Sequence, residues 1–118
     1  MTRLYGHLPE RSHQFALGIM SLIDLLPNET KGWVIGKQLM RSGTSIGANL
    51  REAACALTDA EFASLANIAR REAAEVGYWL ALCTDADLLP RDVTKPLEEE
   101  ADELRRILTT VVRKTRQR

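Results

Sequence analysis

The stretch Phe15-Ala16-Leu17-Gly18-Ile19-Met20-Ser21-Leu22-Ile23-Asp24-Leu25-Leu26-Pro27-Asn28-Glu29-Thr30 decides how this chain folds back on itself. Phe15, Ile19, Leu22 and Leu26 recur at i, i+4, i+7 and i+11, one face of a helix. Leu17, Met20, Ile23 and Leu25 widen the stripe, so this helix is expected to be covered on more than one side. Pro27 then stops it, because proline has no amide hydrogen to continue the ladder, and Asn28 or Thr30 is placed to cap the next helix. A connector this short turns the following helix antiparallel to the first.

The same grammar repeats to the end of the chain. The spacing predicts helices over about 10–26, 31–56, 60–85 and 94–115. Ile35, Leu39, Ile46, Leu50 and Leu57 form the second apolar stripe, and Phe62, Leu65, Ile68, Trp79 and Leu82 the third. Leu97, Ala101, Leu104, Leu108 and Val111 form the fourth. Thr58-Asp59-Ala60-Glu61 reads as a capping box, in which Thr58 and Glu61 satisfy each other's orphan amides. No segment alternates with a period of two, and no repeat, low-complexity tract or linker interrupts the pattern. The expected fold is a single all-α domain, an antiparallel up-down-up-down four-helix bundle spanning 1–118.

Composition agrees and removes several classes of function. At 118 residues, with 45% apolar and 27% charged side chains, the chain is long enough to bury a core without a metal or disulfide. The amino-terminal segment from Met1 to His7 has no signal-peptide core, and Phe15–Leu26 is too short and too interrupted to span a bilayer. Cys55 and Cys83 fall at opposite ends of the bundle and are expected to be buried free thiols, which suits a cytoplasmic location and no membrane partner. A di-metal bundle site needs Glu-x-x-His pairs, but Glu72-x-x-Glu75 lacks a histidine and both His7 and His13 lie near the amino terminus. Zinc-spaced cysteines and phosphate-binding glycine loops are absent, since Gly43-x-x-x-Gly47 sits inside a helix. The reading is therefore no enzyme, no cofactor, no catalytic residue and no metal.

The second helix departs from the ordinary pattern. Gly32, Gly36, Gly43 and Gly47 line one side of it, although each glycine costs about 1 kcal/mol against alanine in a helix interior. Such a row implies close approach by another backbone, either a helix of the same chain or a neighbouring subunit; the small water-facing surface left on this helix favours the subunit. A second stripe carries Arg41, Ser42, Ser45 and Asn49. Antiparallel folding about Leu57-Thr58 brings it level with Glu72 and Glu75, which predicts a buried polar network fixing helix register, with Arg41 paired to one or both carboxylates.

Net charge is zero, but its distribution is not even. Antiparallel threading gathers Arg3, Arg11, Arg51, Arg106, Arg113, Lys114, Arg116 and Arg118 at one pole, eight cations against four acids. Glu98-Glu99-Glu100 and Asp102-Glu103 dominate the other. One explanation is that the fourth helix complements its own dipole, acids first and bases last. The other is that the basic pole binds RNA or DNA phosphates, with the last residues as a tail. A pure protein-interaction module with an incidental basic pole is the alternative function.

Gln38-Leu39-Met40-Arg41-Ser42-Gly43-Thr44-Ser45-Ile46-Gly47-Ala48-Asn49-Leu50-Arg51-Glu52-Ala53, followed by Phe62 and by Ile68 through Leu80, resembles the four helix bundle protein family, also called the ribosomal-RNA intervening-sequence or S23 family. The resemblance extends from the first helix to the fourth, with one departure at Val76-Gly77, where a threonine commonly follows the glutamate. It implies a homopentameric ring, no known catalysis and a largely unassigned cellular role. Accessory variability proteins of diversity-generating retroelements are similar to the same bundle; by that analogy nucleic acid and a reverse transcriptase are implied partners.

Overall fold

The computed structural model describes residues 7–118. They form four helices, α1 (Leu8–Ile23), α2 (Thr30–Ala53), α3 (Asp59–Asp85) and α4 (Arg91–Arg116), with no strand among the described residues. The four pack as an antiparallel bundle, 47 × 19 × 18 Å. Its core runs from Phe15, Ile19 and Leu22 of α1 through Leu39, Ile46 and Leu50 of α2 and Phe62, Val76 and Leu80 of α3 to Leu104, Leu108 and Val111 of α4. The longest seam joins α3 to α4, and α1 meets α4 least.

The helix ends differ from the sequence expectation for local reasons. α1 starts at Leu8, two residues early, because Pro9 fits the first turn, where its missing amide hydrogen is not needed. It stops at Ile23; the Leu25 and Leu26 amides turn back to the Leu22 and Ile23 carbonyls in a tighter i→i+3 turn. Neither Asn28 nor Thr30 caps α2. Glu29 occupies the cap without a side-chain bond, while Asn28 Oδ1 accepts from Trp33 Nε1 at 2.8 Å and ties the connector to the helix. α2 ends at Ala53 rather than at 56, again through a tightened last turn from Glu52 to Ala56.

Thr58 caps α3, accepting from the Glu61 amide at 3.1 Å. The Glu61 carboxylate reaches back to the amide of Leu57, also at 3.1 Å. At the far end of α3, Asp87 adopts a left-handed backbone (φ 58°). The Asp87 amide bonds to Thr84 O and the Leu88 amide to Cys83 O, a Schellman closure built without glycine. α4 begins at Arg91, directly after Pro90, so Pro96 falls inside it. Both Pro96 and Asp92 are exposed, which leaves water to take over the Asp92 carbonyl.

The glycine row meets the chain's own first helix and the connector that follows it. A Cβ at Gly43 would lie 2.9 Å from Ile19 Cγ2, one at Gly36 3.4 Å from Leu26 Cδ1, and one at Gly47 3.4 Å from Ser12 Oγ. At Gly32 it would collide with the Pro27 carbonyl. Close packing inside the chain, on α1 and on the turn at Leu26–Pro27, is thus available to all four glycines.

Candidate functional site

Arg41 reaches across from α2 to α3. Its Nη1 donates to Glu72 Oε2 at 2.8 Å, and its Nη2 contacts the Glu75 carboxylate. Gln38 Oε1 accepts from Arg41 Nε at 3.3 Å, and Trp79 Nε1 donates to Glu75 Oε2 at 3.0 Å. The expectation of burial is corrected here: the Arg41 side chain is 51% exposed, because the cluster lies on the outer lip of the α2–α3 seam. Nor do the other polar residues join it. Ser42 is buried but donates to its own helix at Gln38 O, 2.7 Å, and Asn49 Nδ2 turns to Ser45 O and Oγ at 2.8 and 2.9 Å. Short polar side chains on a helix find the carbonyl one turn back before they find a neighbouring helix. The cluster bridges α2 and α3; no metal-ligating group of three side chains forms among the described residues.

The basic pole divides. Arg11 forms a fork with Glu100, Nε to Oε2 at 2.6 Å and Nη2 to Oε1 at 2.7 Å. That bond holds Arg11 charged beyond its usual range, against some desolvation. A residue expected at the basic pole thus meets one expected at the acidic pole. Arg106 is held by Asp102 at 2.5 Å within α4, and Arg118 lies 3.6 Å from Asp59. Arg105 and then Arg106 keep the Asp102 carboxyl below its ordinary range. Arg3 lies outside the described residues.

Arg51, Arg113, Lys114 and Arg116 make no ion pair among the described residues. Arg113 and Arg116 line a groove on the α3–α4 seam with Asn67, Arg70, Thr109, Val112 and Gln117. Arg51 points into a different cleft, between α1 and α2. Sequence reading missed Arg70, which is not among the eight cations assigned to the pole. Only the α3–α4 register, fixed by Thr84–Thr94 hydroxyls 2.6 Å apart and by Asp59–Arg118, brings Arg70 beside the end of α4.

Two apolar flanks remain uncovered beside α2. On the α1 side, Leu17, Met20, Trp33 and Met40 are all exposed along adjoining clefts, floored partly by Gly36 and Gly47. On the α3 side, Val34, Ile68 and Tyr78 are exposed, with Tyr78 set edge-on to Trp79 at 5.1 Å. Cys83 is buried, which pushes its thiol up to about 11, with the Glu98 charge adding to the effect. Cys55 is exposed, a correction to the expectation of two buried thiols. No helix among the described residues is long and apolar enough to cross a membrane.

Comparison with known proteins fits this arrangement. No curated protein matches the chain. A solved structure, described as a protein with unknown function from the S23 ribosomal protein family of Bacteroides thetaiotaomicron VPI-5482, is 38% identical and superposes with a TM-score of 0.83. The match covers 89% of this chain and 97% of that one. Residues 8–110, from the first turn of α1 to late in α4, match the family described as 23S rRNA-intervening sequence protein. The chain belongs to the 23S rRNA-intervening sequence protein family.

Proposed function

We propose that the chain is a non-catalytic cytoplasmic scaffold that assembles with copies of itself into a closed ring, a pentamer by the family resemblance, and holds nucleic acid on its cationic surface. The observation that carries the assembly is the pair of unlike apolar flanks beside α2: Leu17, Met20, Trp33 and Met40 on one side, Val34, Ile68 and Tyr78 on the other. Large apolar side chains grouped on a surface favour burial by a partner. Because the two flanks differ, a contact between them is head-to-tail, and head-to-tail contacts close into rings when the rotation permits. Arg113, Lys114 and Arg116, which have no acidic partner among the described residues, support the nucleic-acid part. Free Cys55 and Cys83 support a reducing compartment.

Light scattering after gel filtration tests the assembly. A multiple of the 13.2 kDa chain mass is expected, collapsing to the monomer when Leu17 and Met40 are both changed to glutamate. A clean monomer of the unaltered chain at micromolar concentration overturns the ring.

A further inference from the structure

We infer that the α3–α4 groove is a binding site for the phosphate backbone of single-stranded nucleic acid, with Arg70, Arg113 and Arg116 as its phosphate ligands. This rests on the nucleic-acid part of the reading above and specifies where and in what form that partner binds. Three arginines line one groove from both walls, Arg70 from α3 and Arg113 and Arg116 from α4. No carboxylate lines it. Arg70 is oriented by Asn67, whose Oδ1 accepts from Arg70 Nε at 2.8 Å, which leaves the Nη groups to face a ligand. Val112 forms an apolar floor, and Thr109 and Gln117 add neutral hydrogen-bonding groups. A second groove continues the seam through Ser64 and Thr115, with Arg116 lining both; there Asp59 lies 3.6 Å from Arg118 and closes the cationic run at that end.

Shape selects the occupant. Packed helices lie with axes about 8–10 Å apart, so the groove between them is narrow. A duplex is a stiff convex cylinder and touches only the rim of such a groove, whereas one flexible strand lies between the walls and meets cations on both. From Thr109 to Gln117 the groove runs roughly 12 Å at 1.5 Å per residue. A stacked strand advances ~3.4 Å along its axis per phosphate, so at most about three or four phosphates fall along that length, enough to engage three arginines. No aromatic ring lines the groove, so base stacking contributes nothing and the site is indifferent to sequence. A ring of subunits repeats the groove and multiplies a weak individual affinity.

The test is fluorescence anisotropy of a labelled mixed-sequence single strand of RNA or DNA, with the annealed duplex beside it, using the full chain across a salt series. Each phosphate contact contributes a slope of about −0.7 to log affinity against log salt, so three account for a roughly twentyfold fall between about 50 and 200 mM salt. Changing Arg70, Arg113 and Arg116 together to glutamine is expected to abolish that component of the salt dependence, while the three lysine replacements retain most of it. A control with Arg91→Gln and Lys95→Gln removes two exposed cations at the start of α4, outside the groove, and is expected to leave single-strand affinity within a few-fold. Circular dichroism confirms that each variant folds.

If the control weakens binding as much as the groove variant, per charge removed, the groove is refuted while nucleic-acid binding stands. If the duplex binds as tightly as the strand, or polyglutamate displaces the strand as readily as unlabelled RNA or DNA does, the single-strand assignment is overturned. If the unaltered chain binds no strand at low salt, the nucleic-acid reading itself fails.

Discussion

Replacing the glycines by alanine one at a time separates their roles, because alanine adds one methyl group and its helix preference everywhere. At Gly77 an added Cβ meets nothing within 4 Å, so the variant keeps the whole propensity gain and is expected to be more stable by about 0.5–1 kcal/mol. At Gly43 the same gain is opposed by Ile19, whose Cγ2, Cγ1 and Cβ would lie 2.9, 3.1 and 3.2 Å away. Overpacking of a filled core costs about 1–3 kcal/mol, so the net is a loss of up to about 2 kcal/mol. At Gly32 the obstacle is the Pro27 carbonyl, backbone that cannot rotate away, and Gly32 lies in the first turn of α2, where little propensity is gained. There the full overpacking cost applies, about 3 kcal/mol. Urea titration at one fixed protein concentration reads the order. A slope of ~1–3 kcal/mol per molar urea converts 1 kcal/mol into a midpoint shift of roughly 0.3–1 M. Equal midpoints for Gly43→Ala and Gly77→Ala would refute the packing of Gly43 on α1, and equal midpoints for Gly32→Ala and Gly77→Ala would refute the contact of Gly32 with Pro27.

Arg41→Ala is expected to cost about 1 kcal/mol or less by the same titration, since its guanidinium is half in water; a loss of several kcal/mol would restore the buried network. Thr58→Ala removes the acceptor of the Glu61 amide and is expected to cost ~1 kcal/mol, with Thr58→Asn recovering most of it; an unchanged midpoint would mean the cap is idle. Under native conditions at mildly alkaline pH, iodoacetamide should label Cys55 and spare Cys83, as peptide mass spectrometry would show. Burial raises the Cys83 thiol from 9.0 to about 11, so its contribution to stability is intact below about pH 9 and is lost as pH climbs toward 11. At most about 2–3 kcal/mol is involved, and a Cys83→Ala variant whose melting point declines identically over that window would show another group responsible.

The bundle was legible because its signals are local: apolar spacing, Pro27, and the Thr58 cap each act within a turn or two. Helix ends were misplaced where two local options compete, as at Pro9, which reads as a break yet serves as a first-turn residue. The end of α3 at Asp85 was legible, but the closure that follows it was not, because Asp87 takes a left-handed conformation usually left to glycine. The Arg41 cross-helix pairing followed from antiparallel register, but its exposure did not, since 100° of helix rotation separates a buried position from its neighbour. Charge was the least legible feature. Arg11 lies near the amino terminus, yet its long side chain ends on Glu100, and Arg70 joins Arg113 only through a seam whose register no single helix encodes.

The unequal seams have a dynamic consequence. The shortest helix, α1, is held chiefly by α2 and only lightly by α4, so it is the natural first segment to peel away, exposing amides to exchange while the α3–α4 hairpin stays shut. Its outer surface is half of the flank that a second subunit would cover. Docking there would latch α1 down, and dilution would release it, so the amide protection of residues 8–23 becomes a gauge of how many neighbours a subunit has.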